Sequence, residues 1–115
     1  MRRRISLITI AAVSTFLAAC TSAPRKTVPD EVALPIAKKH NCLACHGIDK
    51  KIVGPSFNQV AARYRNQDVQ QQFFVRLRKG GSGVWGPIPE PPHMGISDGD
   101  LKLLIRWVTE LDGPY

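Results

Sequence analysis

The sequence has only three cysteines, and it has no apolar run long enough to span a membrane. One C-x-x-C is present, but a second C-x-x-C and an H-x-x-x-H are both missing. A structural zinc site normally takes four nitrogen or sulfur ligands from paired clusters, so the sequence argues against zinc. An apolar run over residues 5–19 has about fifteen residues, fewer than the roughly twenty that a permanent membrane helix needs.

The first nineteen residues are typical of an export leader, because Arg2, Arg3 and Arg4 precede the apolar run. At its end, Leu17-Ala18-Ala19-Cys20 resembles the bacterial lipobox, in which the cysteine is lipidated and becomes the mature N-terminus. The resemblance accounts for the one cysteine that lies outside the C-x-x-C motif. It also implies several acyl chains on this cysteine, and stable anchoring requires more than one. We expect a signal peptide over residues 1–19 and a mature protein on the periplasmic side of a bacterial membrane; an uncleaved anchor is the alternative.

The net charge of the full chain is +7, but the leader contributes three of the sixteen Lys and Arg residues and no acidic residue. The mature chain keeps thirteen basic and nine acidic residues, a net charge of +4. Such a modest charge does not indicate nucleic-acid binding, and it suits the steering of an acidic protein partner. The candidate steering charges, which are often merely solvated, are Lys38, Lys39, Lys50, Lys51, Arg76, Arg78 and Lys79.

The most informative motif is Cys42-Leu43-Ala44-Cys45-His46. Two cysteines with this spacing lie on one face of a helical turn, where their sulfurs can reach both vinyl groups of one haem. The following histidine then points at the iron. The pattern C-x-x-C-H is typical of c-type haem attachment. A redox C-x-x-C of the thioredoxin type belongs to a βαβ pattern, which this chain does not show.

The mature chain is predicted to contain a polar, proline-bearing tether over residues 20–32 and one small domain over residues 33–115. The domain is predicted to be all-α, because no segment alternates convincingly between apolar and polar residues. One helix is expected from near Ala33 to Cys45, with Pro35 in its first turn. His40 is expected to be an exposed surface residue, the alternative being a second iron ligand. Apolar residues at helical spacing predict further helices over residues 57–64, 69–77 and from Ser97 to Gly113.

With these residues in hand, the chain resembles a class I cytochrome c of the small bacterial type that includes cytochromes c551 and c552. The resemblance covers roughly residues 33–112. Besides the haem motif and the terminal helix with Trp107, it rests on Val53-Gly54-Pro55, Val60-Ala61, Tyr64 and Gly83-Val84-Trp85-Gly86-Pro87-Ile88-Pro89. It implies helices wrapped around one covalently attached haem c.

The resemblance also implies roles for individual residues. Cys42 and Cys45 would hold the haem, and His46 would be the proximal iron ligand. The carbonyl of Pro55 would accept a hydrogen bond from the ring of His46, which orients the ligand. Trp85 would approach a haem propionate through its indole N–H, the alternative being a simple core aromatic.

The distal iron ligand is where the chain departs from the family. There a methionine directly follows the Pro-Ile-Pro-like segment, and here that place is taken by Glu90. The only methionine of the mature domain is Met94, four residues later, and we predict that it is the sixth ligand. Three alternatives stay open: His93 as the ligand, Glu90 as the ligand, or an open or water-filled position faced by Glu90.

The resemblance implies an electron carrier and not an enzyme: a lipid-tethered, monomeric cytochrome that passes single electrons between redox proteins with acidic docking faces. Axial-ligand identity sets the potential and reactivity of a haem, so Glu90 motivates an alternative. In that alternative the chain is a haem ligand-binder, a sensor or a weak peroxidase with an open sixth position. A third possibility is a haem subunit of a larger oxidase or dehydrogenase complex.

Overall fold

The computed structural model describes residues 26–114, in which five helices form the fold. Residues 1–25, with the leader and Cys20, lie outside the described part, as does Tyr115. Residues 26–114 otherwise contain two isolated β-bridges and no strand, which confirms the predicted all-α class. The helices are α1 (Asp30–Lys39), α2 (Cys42–Cys45), α3 (Phe57–Arg63), α4 (Gln70–Lys79) and α5 (Asp98–Thr109).

The first predicted helix is in fact two helices, and it begins earlier than expected. α1 starts at Asp30, after an extended Pro29, and it ends at Lys39. Asn41 then adopts a left-handed conformation with φ of 57°, which separates α1 from the short helix α2. Pro35 therefore lies inside α1 and not in its first turn. At this interior position its missing N–H removes one helical hydrogen bond.

The last residues of the predicted tether pack against α5. The backbone N–H and the hydroxyl of Thr27 donate hydrogen bonds to the carboxylate of Glu110 at 2.7 and 2.8 Å. Val28 is buried, and Asp30 accepts a hydrogen bond from Trp107. The chain therefore joins the packed helices at Thr27, before the predicted domain start at residue 33.

α5 is the central helix, since α1, α3 and α4 all pack on it. Ala33 and Ala37 are fully buried, and their small side chains bring α1 close to the buried Trp107. On the other side, Leu101 and Ile105 pack with residues of α4. No helix within residues 26–114 has the length and apolar character needed to cross a membrane.

Two serines cap the helices that follow the loops. The hydroxyl of Ser56 accepts a hydrogen bond from the backbone N–H of Gln59, whose side chain accepts from the backbone N–H of Ser56. Ser97 caps α5 by accepting from the backbone N–H of Asp100 at 3.1 Å, as the sequence predicts. These bonds satisfy N–H groups that a helix leaves unpaired at its start, and they set where α3 and α5 begin.

Candidate functional site

A cavity of about 550 Å³ lies between the helices and the loop that joins α4 to α5. Its volume is within the range of about 300–1,000 Å³ that is usual for ligand and cofactor sites. Much of its wall is apolar, which favours a large apolar group over a small ion. The apolar residues of this wall include Val60, Phe73, Leu77, Ile96, Leu101, Leu104, Ile105 and Val108.

The two cysteines of the C-x-x-C-H motif both line this cavity. They are the first and last residues of α2, so their sulfurs come from one helical turn. Neither forms a disulfide within the described residues. Burial raises the pKa of the half-buried Cys42 thiol, whereas Cys45 is exposed. Two free thiols therefore stand together at the edge of an apolar cavity.

The imidazole of His46 is held in one orientation. Its Nδ1 donates a hydrogen bond to the carbonyl oxygen of Pro55 at 2.7 Å. The ring stacks on Phe57, with 5.3 Å between the ring centroids. A Cβ on Gly54 would lie 2.5 Å from Cε1 of His46, so only glycine leaves room for the ring here. With Nδ1 held by Pro55, Nε2 is the ring nitrogen that remains for another partner.

On the other side of Nε2 stands the carboxylate of Glu90. Its Oε2 accepts a hydrogen bond from Nε2 of His46 at 3.1 Å, and its Oε1 accepts one from Nε2 of His93 at 2.6 Å. Burial favours the neutral acid, but the two histidines outweigh it and lower the pKa of Glu90 to about 2. Burial likewise opposes protonation of His46, and the bonds to Glu90 and Pro55 reverse this and raise its pKa. Glu90 is therefore an anion held between two imidazoles.

Backbone contacts position Glu90 and His93. Glu90 and Gly81 exchange two backbone hydrogen bonds of 2.8 and 2.9 Å. The backbone N–H of His93 donates to the carbonyl of Leu77 in α4 at 2.8 Å. The guanidinium of Arg78 donates to the carbonyl of His93 and, at 2.6 Å, to the carboxylate of Asp98. Arg78 is thus paired inside the protein, which argues against its use as a steering charge.

The structure does not bring Met94 to the cavity. Its side chain is 72% exposed and does not contribute to the cavity wall, whereas Glu90 and His93 both do. The backbone bonds of His93 to α4 turn this residue inward and leave its neighbour on the outer surface. Met94 as sixth ligand stays a prediction, and this arrangement does not support it.

Trp85 lies at the mouth of the cavity and is 39% exposed, so it is not a core aromatic. The guanidinium of Arg63 lies over its ring at 4.5 Å and donates to the carbonyl of Val84 at 2.9 Å. Tyr64 approaches the same ring edge-on, at 6.4 Å between centroids. The loop around Trp85 is thus fastened to α3 by cation–π contact and a hydrogen bond.

His40 is not the exposed residue that we expected. It lines the cavity, and its Nε2 is buried without a hydrogen-bond partner among residues 26–114. The nearest charged oxygen is Oδ2 of Asp100, at 3.9 Å. The break at Asn41 turns α1 away from α2 and leaves His40 in this position. Periodicity missed it because the expected single helix has no such break.

The donor set of the cavity fits a haem attached through two sulfurs. Such a cofactor requires two thiols on one turn, an apolar wall, and an imidazole nitrogen that is free to bind iron while a carbonyl holds the other ring nitrogen. The indole of Trp85 at the mouth suits the polar edge of the cofactor. A small cation fits less well, since residues 26–114 contain no cluster of three or more candidate metal ligands.

Comparison with known proteins agrees with this fit. The family model "Cytochrome c" matches residues 35–112. The chain is 46% identical over 77 residues to cytochrome c-552 of Nitrosomonas europaea, covering 66% of this chain and 75% of that protein. It is 43% identical over 72 residues to cytochrome c-551 of Pseudomonas aeruginosa, covering 62% and 68%.

Solved structures show the same likeness. The crystal structure of wild-type Nitrosomonas europaea cytochrome c552 superposes with a TM-score of 0.65 at 41% identity, covering 69% of this chain and 99% of that one. A class 1 cytochrome from Sideroxydans lithotrophicus gives a TM-score of 0.62 at 27% identity, covering 72% and 96%. The chain belongs to the cytochrome c family, as a relative of the small class I cytochromes c-551 and c-552, and it binds one covalently attached haem c.

Proposed function

We propose that this protein is an electron carrier of the bacterial cell envelope that passes single electrons between redox proteins and is not an enzyme. The observation that carries the proposal is the imidazole of His46, which lines an apolar cavity beside two cysteines while Pro55 holds its Nδ1. The bound haem supplies one-electron exchange between ferric and ferrous iron.

The residues around the cavity have distinct proposed roles. The thiols of Cys42 and Cys45 would hold the cofactor covalently, each S–H adding across one vinyl group so that sulfur and hydrogen go to its two carbons. His46 is the proximal iron ligand, and the carbonyl of Pro55 fixes its tautomer and ring orientation. Trp85 would direct its indole N–H toward a propionate, and Arg63 over its ring holds the side chain in place.

The rim of the cavity suits brief docking to another protein. Val53, Trp85 and Ile88 are exposed apolar residues that line the mouth. The exposed Lys51 lines the same cavity, and the exposed Lys50 precedes it in the sequence. An apolar patch with flanking positive charge favours fast, transient contact with an acidic partner. We propose that the carrier is a monomer that uses this face for both donor and acceptor.

Oxidation of the ferrous protein by hexacyanoferrate(III), an anionic probe, tests this function in a stopped-flow instrument. We expect reversible one-electron oxidation of a protein with covalently bound haem. Changing Lys50 and Lys51 to glutamine should slow the reaction several-fold at low salt and much less at high salt, because salt screens exposed charges. Lys102→Gln is the matched control, since this exposed lysine of α5 does not line the cavity. Absence of reversible oxidation would refute the proposal, and equal rates would refute the steering.

The membrane anchor is a separate part of the proposal. Residues 1–19 would be removed as a signal peptide, Cys20 would carry lipid, and the following residues would tether the domain at the periplasmic side of the membrane. More than one acyl chain is needed for stable binding to a bilayer. The full chain should fractionate with membranes, Cys20→Ala should be released, and Thr21→Ala should behave as the wild type. A Cys20→Ala variant that stays on the membrane would contradict lipid anchoring.

Binding of a small ligand at the iron is a second candidate function. The observation that favours it is the position of Met94, outside the cavity and 72% exposed. Without a thioether on the distal side, a small neutral ligand meets less competition for ferrous iron. Rapid binding of carbon monoxide to the reduced protein would favour this function, and inert iron would rule it out.

A further inference from the structure

We propose that Glu90 is the distal iron ligand of this protein, and that His93 holds the second oxygen of its carboxylate. The inference rests on the proposed function, because it requires a haem bound through His46. Under this proposal an anionic oxygen donor takes the place of the family's methionine. The proposal therefore explains the one position where the motif departs from the family.

The position of Glu90 relative to His46 is the first argument. Pro55 holds Nδ1, so Nε2 is the nitrogen available to iron. The group facing Nε2 is Oε2 of Glu90, at 3.1 Å. A sixth ligand has to approach from the side opposite the proximal one. Among the three candidates, Glu90 is the residue whose donor atom faces Nε2, while Met94 lies on the outer surface.

The environment of Glu90 is the second argument. Its side chain is 26% exposed, which is too little for a carboxylate that is merely solvated by water at the rim of the cavity. A partly buried carboxylate is costly unless it is paired, and Glu90 is paired on both oxygens. Two backbone bonds with Gly81 hold it at this depth. Gly80 is required for that approach, since a Cβ there would lie 2.7 Å from the carbonyl oxygen of Glu90.

His93 acts as a supporting residue and not as the ligand. Its Nε2 donates to Oε1 of Glu90 at 2.6 Å, which places the carboxylate between the two imidazoles. Carboxylates that ligate metals are usually hydrogen-bonded by an outer partner, which orients them. The bonds of His93 to Leu77 and Arg78 hold it beside the second carboxylate oxygen of Glu90.

The observed contact has to lengthen when iron lies between the two residues. Metal–nitrogen and metal–oxygen bonds of about 2 Å each need about 4 Å between the donor atoms, as at zinc. The Glu90 side chain therefore has to withdraw by about 1 Å from Nε2. Rotation of its side-chain bonds would allow this movement without breaking its backbone bonds to Gly81.

An anionic oxygen ligand favours ferric iron over ferrous iron, whereas a thioether favours the ferrous state. Glu90→Met should therefore raise the reduction potential and introduce the weak sulfur-to-ferric charge-transfer band at the red edge of the spectrum. Glu90→Gln keeps the shape of the side chain but removes its charge. This variant should change the ferric absorption and electron paramagnetic resonance spectra.

The experiment is the ferric spectrum and the reduction potential of five purified holoproteins: the wild type, Glu90→Met, Glu90→Gln, Met94→Leu and His93→Gln. We expect no sulfur-to-iron band in the wild type, and the same spectrum and potential in Met94→Leu. Glu90→Met should gain this band and a higher potential, and Glu90→Gln should have altered ferric spectra. The wild-type and Met94→Leu measurements decide between Glu90 and Met94 even if a Glu90 variant fails to fold.

Three outcomes would overturn the inference. A sulfur-to-iron band that is present in the wild type and lost in Met94→Leu would establish Met94 as the ligand. A low-spin spectrum unchanged by Glu90→Gln and lost in His93→Gln would establish His93. A high-spin spectrum unchanged by Glu90→Gln would mean an open position. In each case reversible oxidation by hexacyanoferrate(III) would still support the electron carrier, so the two proposals fail separately.

Discussion

The carboxylate of Asp30, in the first turn of α1, accepts a 2.6 Å hydrogen bond from the indole N–H of Trp107 in α5. Trp107 is only 1% exposed, so this bond satisfies the one polar atom of a buried side chain. Lys26 pairs with the same carboxylate, and its ammonium lies 5.5 Å from the centroid of the indole ring. The two ends of the described chain are joined by this contact.

Replacement of Asp30 by asparagine tests the contact through its pH dependence. The hydrogen bonds from Lys26 and Trp107 lower the pKa of Asp30. Its contribution is therefore present above the unfolded pKa of about 4 and is lost as the pH falls through the lower folded value. Asparagine still accepts a neutral hydrogen bond, so Asp30→Asn should lower the free energy of unfolding by about 1 kcal/mol at neutral pH.

Urea unfolding of the holoprotein between pH 2 and pH 7, roughly the range over which carboxyl groups titrate, measures this difference. Glu31→Gln is the matched control, because it removes the same charge from the same helical turn. It should cost less than Asp30→Asn at neutral pH. A gap between Asp30→Asn and the wild type that does not shrink in acid would contradict the assignment.

Gly54→Ala should disturb the proximal ligand. The added methyl group would lie 2.5 Å from Cε1 of His46, so the ring or the backbone must move. Overpacking of this kind costs about 1–3 kcal/mol, and displacement of the ring should also change the haem spectrum. Gly99→Ala is the control, since a Cβ there meets nothing within 4 Å and the site lies in α5. That variant should be neutral or stabilising by up to about 1 kcal/mol. An unchanged spectrum in Gly54→Ala would show that His46 is not held as described.

Ser56→Ala should destabilise the protein more than Ser97→Ala. Both serines cap a helix, but Ser56 is fully buried and takes part in a reciprocal pair of bonds with Gln59. Loss of an N-cap costs about 0.5–2 kcal/mol, and we expect Ser56 at the upper end and Ser97 at the lower. Thermal or urea unfolding measures both, with Ser82→Ala as an exposed control. Equal losses for the two caps would contradict the role assigned to burial.

Arg63→Lys should loosen the loop around Trp85. A lysine keeps the charge but loses the planar contact with the indole and the geometry of the bond to Val84. An exposed cation–π contact contributes about 0.5–1 kcal/mol, so amide hydrogen exchange in residues 83–87 should become several-fold faster. Arg65→Lys, at an exposed position of the same segment, should leave the exchange unchanged. Equal exchange in both variants would show that Arg63 does not fasten this loop.

What the sequence determined by itself is mostly local. The spacing of Cys42 and Cys45 is contained in a single turn, so backbone geometry alone brings the sulfurs together. The stripe of α5 and the cap at Ser97 are equally short-range, because helical periodicity and capping depend on neighbours within one or two turns. These features explain why the all-α class, the helix positions after residue 56 and the kind of cofactor were accessible from the residues alone.

Only the tertiary structure decided which groups meet across the cavity. Glu90 reaches His46 from 44 residues away, and Arg78 meets Asp98 from 20 residues away. Such pairs depend on how α4 and its loop pack against α5, and no short-range pattern records that packing. The start of α1 also depends on packing, since the bond between Asp30 in its first turn and Trp107 in α5 spans 77 residues. Residues that act through neighbours in sequence were predictable from local patterns, whereas those that act through packing were expected only where the family resemblance implied them.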